Sequence, residues 1–169
     1  MFTKKLILTL PLFILFFGVN DYNFQQSILL FQNPFQLLDN SQWLQESPIT
    51  FLIGFGINSV INDTSTTYWI VVFFGFLYLY TILYFYEKNE VNGEYFAKFL
   101  FFSPFFLIIF SWMGKPDTYM VGSLLALLTF RNNNYISLLS IIILVFSHPQ
   151  IAFIYLVLII FLKIYKLNF

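Results

Sequence analysis

The feature that most constrains this chain is an uncharged apolar run at residues 68–86, rich in aromatic and aliphatic side chains. A helix crosses the hydrocarbon core of a bilayer with about 20 consecutive apolar residues. The run has about this length, and it contains no Asp, Glu, Lys or Arg. It therefore predicts a membrane-spanning helix around which the rest of the chain is organised.

The composition indicates that the whole chain, and not only this run, belongs in a membrane. Charged residues are 9% and hydrophobic residues 59% of the 169 residues, whereas a soluble domain carries about 25% charge. We therefore expect an all-α polytopic transmembrane helical bundle. The formal net charge is zero, so nucleic-acid binding has no electrostatic support. The chain has no Cys, which excludes disulfides, thiolate metal sites and Cys nucleophiles.

The hydropathy pattern predicts a single membrane domain, residues 1–169, with about six spans. The first run follows Lys4 and Lys5 and is not followed by a small-x-small cleavage site, so we interpret it as an uncleaved span. Residues 20–67 form a long outer loop, in which apolar residues at helical spacing predict helices lying in the membrane interface. The predicted spans are residues 3–19, 68–86, 96–112, 117–131, 134–147 and 151–167.

The ambiguous part of the loop is residues 49–61, an apolar run that is short for a crossing and contains Gly54 and Gly56. Cytoplasmic segments of membrane proteins carry an excess of Lys and Arg. If this run does not cross, only Lys115 lies outside, and the other basic residues lie inside: Lys4, Lys5, Lys88, Lys98, Arg131, Lys163 and Lys166. We therefore expect the run to lie flat on the bilayer of an inner or plasma membrane, with both termini cytoplasmic.

This topology collects ionisable groups on the outer face: Asp21, Asp39, Glu46, Asp63, Lys115, Asp117 and His148. Such groups near membrane depth are functional candidates because burying them is costly. Carboxylates serve as general bases or metal ligands, and Lys and His hold phosphates. Simpler explanations stand beside these roles. Loop charges such as Asp63 keep a loop in water, Asp117 could cap a helix, and His148 could end one.

Several short motifs in this arrangement resemble the GT-C superfamily of membrane glycosyltransferases, which transfer sugars from lipid-linked donors. In that superfamily, a first span is followed by a long outer loop with an essential acidic residue soon after the span. The matching motifs cover most of the chain: Asp21-Tyr22, Asn33-Pro34-Phe35, Glu46-Ser47-Pro48, Gly114-Lys115-Pro116-Asp117 and His148-Pro149-Gln150.

The resemblance implies a role for each matched residue. Asp21 would be the base or a metal-linked carboxylate, and Asp117 a second catalytic acidic group. Lys115, His148 and Glu46 would bind substrate. The resemblance also allows for a divalent metal, and it implies membrane lipid and a polyprenyl-phosphate-linked sugar donor as partners. Members of the superfamily are longer, so we expect a fragment, one half of a split protein with a partner membrane subunit, or a degenerate relative.

Two other functions remain open. The segment from Arg131 to Phe161 resembles polysaccharide polymerases of the EpsG type, although this chain lacks their Arg near the first outer Asp. A non-catalytic membrane subunit or a small transporter is the third hypothesis. A transporter places ionisable residues in the middle of spans, whereas the sequence predicts them at span ends.

Overall fold

The structure is a computed structural model that describes residues 2–5, 29–33, 48–104 and 117–164. Side chains are described up to Leu158. Every regular element within these residues is helical. The helices are α1 Pro48–Ile61, α2 Thr64–Asn89, α3 Gly93–Phe102, α4 Asp117–Thr129, α5 Asn134–Ser147 and α6 Pro149–Ile164. Residues 2–5 and 29–32 are helical as well.

The longest helix, α2, contains the apolar run at residues 68–86 and extends beyond it at both ends. It begins at Thr64 because the Asp63 carboxylate accepts hydrogen bonds from the backbone N–H groups of Ser65 and Thr66, at 3.3 and 3.2 Å. Its 26 residues correspond to about 39 Å. Within the described part of the chain, α2 alone is both long enough and apolar enough to cross a bilayer.

The helix α4 runs alongside α2 in the same direction. Residue numbers increase in the same direction along both helices in successive contacts. Gly75 faces Thr118, Tyr78 faces Gly122, and the rings of Phe85 and Phe130 lie 5.7 Å apart. A Cβ on Gly122 would lie 2.6 Å from the Tyr78 ring, so the two helices approach as closely as this glycine allows. Because α4 has 13 residues, or about 20 Å, it follows only part of α2.

The next two helices fold back and forth against α4. The Asn133 side chain caps α5 by accepting from Tyr135 N and Ile136 N, both at 3.2 Å. Pro149 then begins α6, a position that proline favours because its missing N–H would have no helical partner. Leu127, Leu144 and Ala152 form a small buried cluster that holds α4, α5 and α6 together.

The run at residues 49–61 is helical and packs against α2. Its helix, α1, ends at Asn62, whose φ of 55° is left-handed and which donates its N–H to Asn58 O at 2.8 Å. A two-residue link then leads to α2. Whether α1 lies flat on a bilayer stays a prediction, as does the arrangement of six spans.

The far end of α2 holds the beginning of the chain. Glu87 is buried, and its carboxylate accepts from the backbone N–H groups of Phe2 and Thr3, the latter at 2.9 Å. Helix N-termini expose N–H groups that lack internal acceptors, and Glu87 supplies acceptors for two of them. Residues 2–5 are therefore fixed beside the C-terminal end of α2.

Candidate functional site

Among the residues that the sequence singled out, Asp117 and His148 come together. The Nε2 atom of His148 lies 3.6 Å from Asp117 Oδ1, and 31% and 28% of the two side chains are exposed. This distance lies within ion-pair range but is longer than a hydrogen bond. Nε2 itself is shielded from solvent and has no hydrogen-bond partner among the described residues. We refer to these two residues as the Asp117–His148 pair.

His148 is fixed by the backbone on both sides. Its N–H donates to Leu144 O at 2.8 Å and closes the end of α5, while its carbonyl accepts from Ala152 N at 3.0 Å in the first turn of α6. Pro149 restricts the backbone of His148 further, so the position of its Cα relative to α4 is fixed. His148 does end a helix, as the simpler explanation proposed, and it also faces a carboxylate.

Asp117 is the first residue of α4, and the next two residues attach it to α2. Thr118 lies directly against Gly75, where an added Cβ would come within 2.5 Å of the threonine hydroxyl. The Tyr119 hydroxyl donates to Val71 O at 3.2 Å. Two buried contacts therefore determine where the carboxylate lies along α2.

The pair lies beside the interior of α2 and not beside its end. Gly75, which faces Thr118, is about 16 Å along the helix from Thr64 and about 10 Å from Tyr68, where the apolar run begins. Each residue lies at an end of its own helix, where the sequence placed it: Asp117 begins α4, and His148 lies between α5 and α6. Their level along α2 was not predicted.

A second polar contact lies further along the same interface. The Tyr78 hydroxyl and Ser123 Oγ are 3.2 Å apart between α2 and α4. The sequence analysis missed this contact and the Glu87 contact with Phe2 and Thr3. The spacing of Tyr78 within an aromatic run gave no sign of its partner, because the register between two helices is a tertiary property.

The remaining candidate residues divide into two groups. Asp21, Asp39, Glu46 and Lys115 lie outside the described residues. Asp63 is described, and it caps α2, where the hydroxyl of Thr66 holds the pKa of its carboxyl below the usual value. No three His, Asp or Glu side chains gather as a metal site within the described ranges.

Basic residues collect at the end of α2 opposite Asp63. Glu87 binds residues 2–5, which contain Lys4 and Lys5, and Lys88 follows it directly. The ring contact between Phe85 and Phe130 brings the turn containing Arg131 to the same level. We refer to Lys4, Lys5, Lys88 and Arg131 as the basic end of the molecule.

Comparison with protein-family models, with curated proteins and with solved structures finds no match for this chain. The function is therefore inferred from the chain's own residues and their geometry.

Proposed function

We propose that this protein is an integral membrane glycosyltransferase that transfers a sugar from a polyprenyl-phosphate-linked donor on the outer face of the membrane. Its fold in this proposal is a bundle of about six transmembrane helices. The composition supports membrane insertion, as does the length of α2. So do the large apolar side chains exposed on the outer faces of α5 and α6, including Leu138, Ile142, Phe146, Phe153 and Val157.

The basic end supports the proposed orientation. Positive residues are retained on the cytoplasmic side of a membrane, and Lys4, Lys5, Lys88 and Arg131 lie at one end of α2. Asp63 caps the opposite end, which is then the outer one. In this orientation, the Asp117–His148 pair is nearer to the outer surface than to the cytoplasm.

The observation that carries the enzymatic proposal is the approach of His148 to Asp117, which the chain brings together from two separate helix starts. The helix dipoles at the starts of α4 and α6 favour an anion, such as the phosphate of a lipid-linked donor. By resemblance, Asp21 contributes the base, and Lys115 and Glu46 bind the donor. A divalent metal would balance phosphate charge in this reaction.

The direct test is sugar transfer by purified protein in lipid nanodiscs, using a panel of polyprenyl-phosphate sugars and a range of hydroxyl acceptors. We expect transfer by the natural chain and a loss of at least tenfold in kcat for Asp117→Asn, since an active-site carboxylate contributes on that scale or more. Asp63→Asn is the matched control, because it changes an Asp that only caps α2. Full activity of Asp117→Asn, or no transfer with any donor, would contradict the proposal.

A small transporter is the second candidate, and the level of the pair favours it. Ionisable residues inside a span mark substrate or proton pathways, and the Asp117–His148 pair lies beside the interior of α2. Reconstituted vesicles with a pH-sensitive dye inside test this function. Proton flux that requires both Asp117 and His148, without any sugar transfer, would favour the transporter over the enzyme.

A further inference from the structure

The orientation of the His148 ring distinguishes its two nitrogens. Nε2 is enclosed and faces Asp117 Oδ1, whereas about a third of the side chain, 31%, remains exposed. Nε2 is not part of this exposed fraction, and Nδ1 is not among the enclosed atoms that lack a hydrogen-bond partner in the described residues. Nδ1 is therefore the nitrogen that a bound substrate can meet.

A carboxylate facing Nε2 selects one form of the neutral ring. It favours a proton on Nε2, which leaves the lone pair on Nδ1 available as a base. When Nδ1 accepts a proton, the carboxylate stabilises the imidazolium that forms, as the buried aspartate of a catalytic triad does. The exposed nitrogen is thus prepared to take a proton.

The helices of the described region carry few other charges that could compete with this arrangement. Their titratable groups include Asp117 and Tyr119 on α4, Tyr155 and Lys163 on α6, and Tyr68 and Tyr78 on α2. The charged residues of α2, Glu87 and Lys88, lie at its other end, and neither α1 nor α5 contains a charged residue. Within the described ranges, Asp117 is therefore the group that sets the charge seen by His148.

From this geometry, we propose that His148 Nδ1 is a proton acceptor and that Asp117 is its positioning residue. The proposal rests on the proposed glycosyl transfer. It replaces the phosphate-binding role that the resemblance implies for His148 and the role of base that the resemblance implies for Asp21. The acceptor O–H bond breaks and its proton moves to Nδ1, while the oxygen forms a bond to the anomeric carbon. The bond from that carbon to the phosphate oxygen breaks, and the lipid phosphate leaves with the electron pair.

Because the chain has one His, ¹⁵N-histidine labelling makes this proposal testable without any activity. In nanodiscs, we expect the neutral ring to carry its proton on Nε2. Asp117→Asn should lower the share of this form, because a neutral amide favours a proton on Nε2 less than a carboxylate does. Asp63→Asn, at the distant cap, should leave the position of the proton unchanged. A neutral ring protonated on Nδ1, or the same position of the proton in the natural chain and in Asp117→Asn, would overturn the proposal.

Kinetics separate this proposal from the glycosyltransferase proposal. If transfer is detected, His148→Gln should lower kcat at least 100-fold with little change in KM, as expected for loss of a general base. Efficient transfer by His148→Gln would refute the proton-acceptor role and leave the transferase intact. If the neutral ring carries its proton on Nε2 as expected but no sugar is transferred, the transferase proposal fails and the orientation of the ring by Asp117 remains.

Discussion

Gly75 lies directly against Thr118, so close that a Cβ on the glycine would come within 2.5 Å of the threonine hydroxyl and 3.1 Å of the Tyr119 ring. This contact fixes the beginning of α4 against the interior of α2. Asp117 immediately precedes Thr118, so the same contact sets the position of the carboxylate that faces His148.

Gly75→Ala should therefore disturb both stability and the pair. The added methyl group overpacks the interface between α2 and α4, which destabilises the folded state by about 1–3 kcal/mol. Displacement of α4 also moves Asp117 away from His148. We expect a lower midpoint of thermal unfolding in detergent, together with a change in the ¹⁵N signals of His148.

Gly56→Ala is the matched control for this substitution. Gly56 is an exposed position in α1, where an added Cβ meets nothing within 4 Å. Alanine is a better helix former than glycine, so this variant should gain about 0.4–1 kcal/mol. Equal destabilisation by the two variants would show that the contact with Thr118 does not govern the effect at Gly75.

Replacement of Glu87 should release the beginning of the chain. Glu87→Ala leaves the N–H groups of Phe2 and Thr3 without their acceptor, at a cost of about 1–3 kcal/mol. Glu87→Gln keeps one carbonyl oxygen as an acceptor and should have an intermediate effect. Faster trypsin cleavage after Lys4 and Lys5 measures the release, because both residues are exposed.

Glu90→Gln is the control for that experiment. Glu90 lies close to Glu87 in sequence, and the contact it makes at the end of α2 is through its backbone N–H to Tyr86 O. The amide keeps this backbone contact, so the cleavage rate should match that of the natural chain. If Glu87→Ala is cleaved no faster than Glu90→Gln, the carboxylate does not hold the beginning of the chain.

In the described region, the sequence predicted the ends of a helix well where a polar capping residue marks them. The predicted span 134–147 coincides with α5, because Asn133 caps its start and His148 closes its end. Residues 62–67 were expected to be a loop, whereas α2 begins at Thr64. Hydropathy reports only the apolar part of a helix, and the polar first turn of α2 depends on the Asp63 cap.

For the Asp117–His148 pair, the sequence predicted a shared side of the membrane but not a position along α2. The positive-inside argument placed Asp117 and His148 on the same side, and they lie 3.6 Å apart. Their level along α2 was not predicted, because it depends on the close approach of Gly75 to Thr118 and of Gly122 to Tyr78. No periodicity in a single helix specifies its register against another.

The Asp63 cap should make the beginning of α2 sensitive to acid. Hydrogen bonding to Thr66 holds the pKa of the carboxyl below its ordinary value of 3.8. The stabilisation is therefore complete above about pH 3.8, and it is lost as the pH falls through the lower native pKa. Asp63→Asn also caps helices well, so it should keep the helix content and lose this pH dependence, as measured by circular dichroism. Asp63→Ala should lower stability at neutral pH, and its difference from the natural chain should shrink in acid. An acid transition that is unchanged in Asp63→Asn would show that another group titrates.

The orientation of the molecule can be tested with single cysteines, because the natural chain contains none. Ser65→Cys lies at the Asp63 end of α2, and Asn132→Cys lies in the turn at the basic end; both positions are exposed. The excess of Lys and Arg at the basic end predicts that it faces the cytoplasm. A membrane-impermeant maleimide added to intact cells should therefore label Ser65→Cys and not Asn132→Cys.

Asn132→Cys should react only after the membrane is permeabilised, and Asn89→Cys, at the end of α2, should behave in the same way. Labelling of Asn132→Cys in intact cells would place the Asp117–His148 pair nearer to the cytoplasm and remove its access to a donor on the outer face.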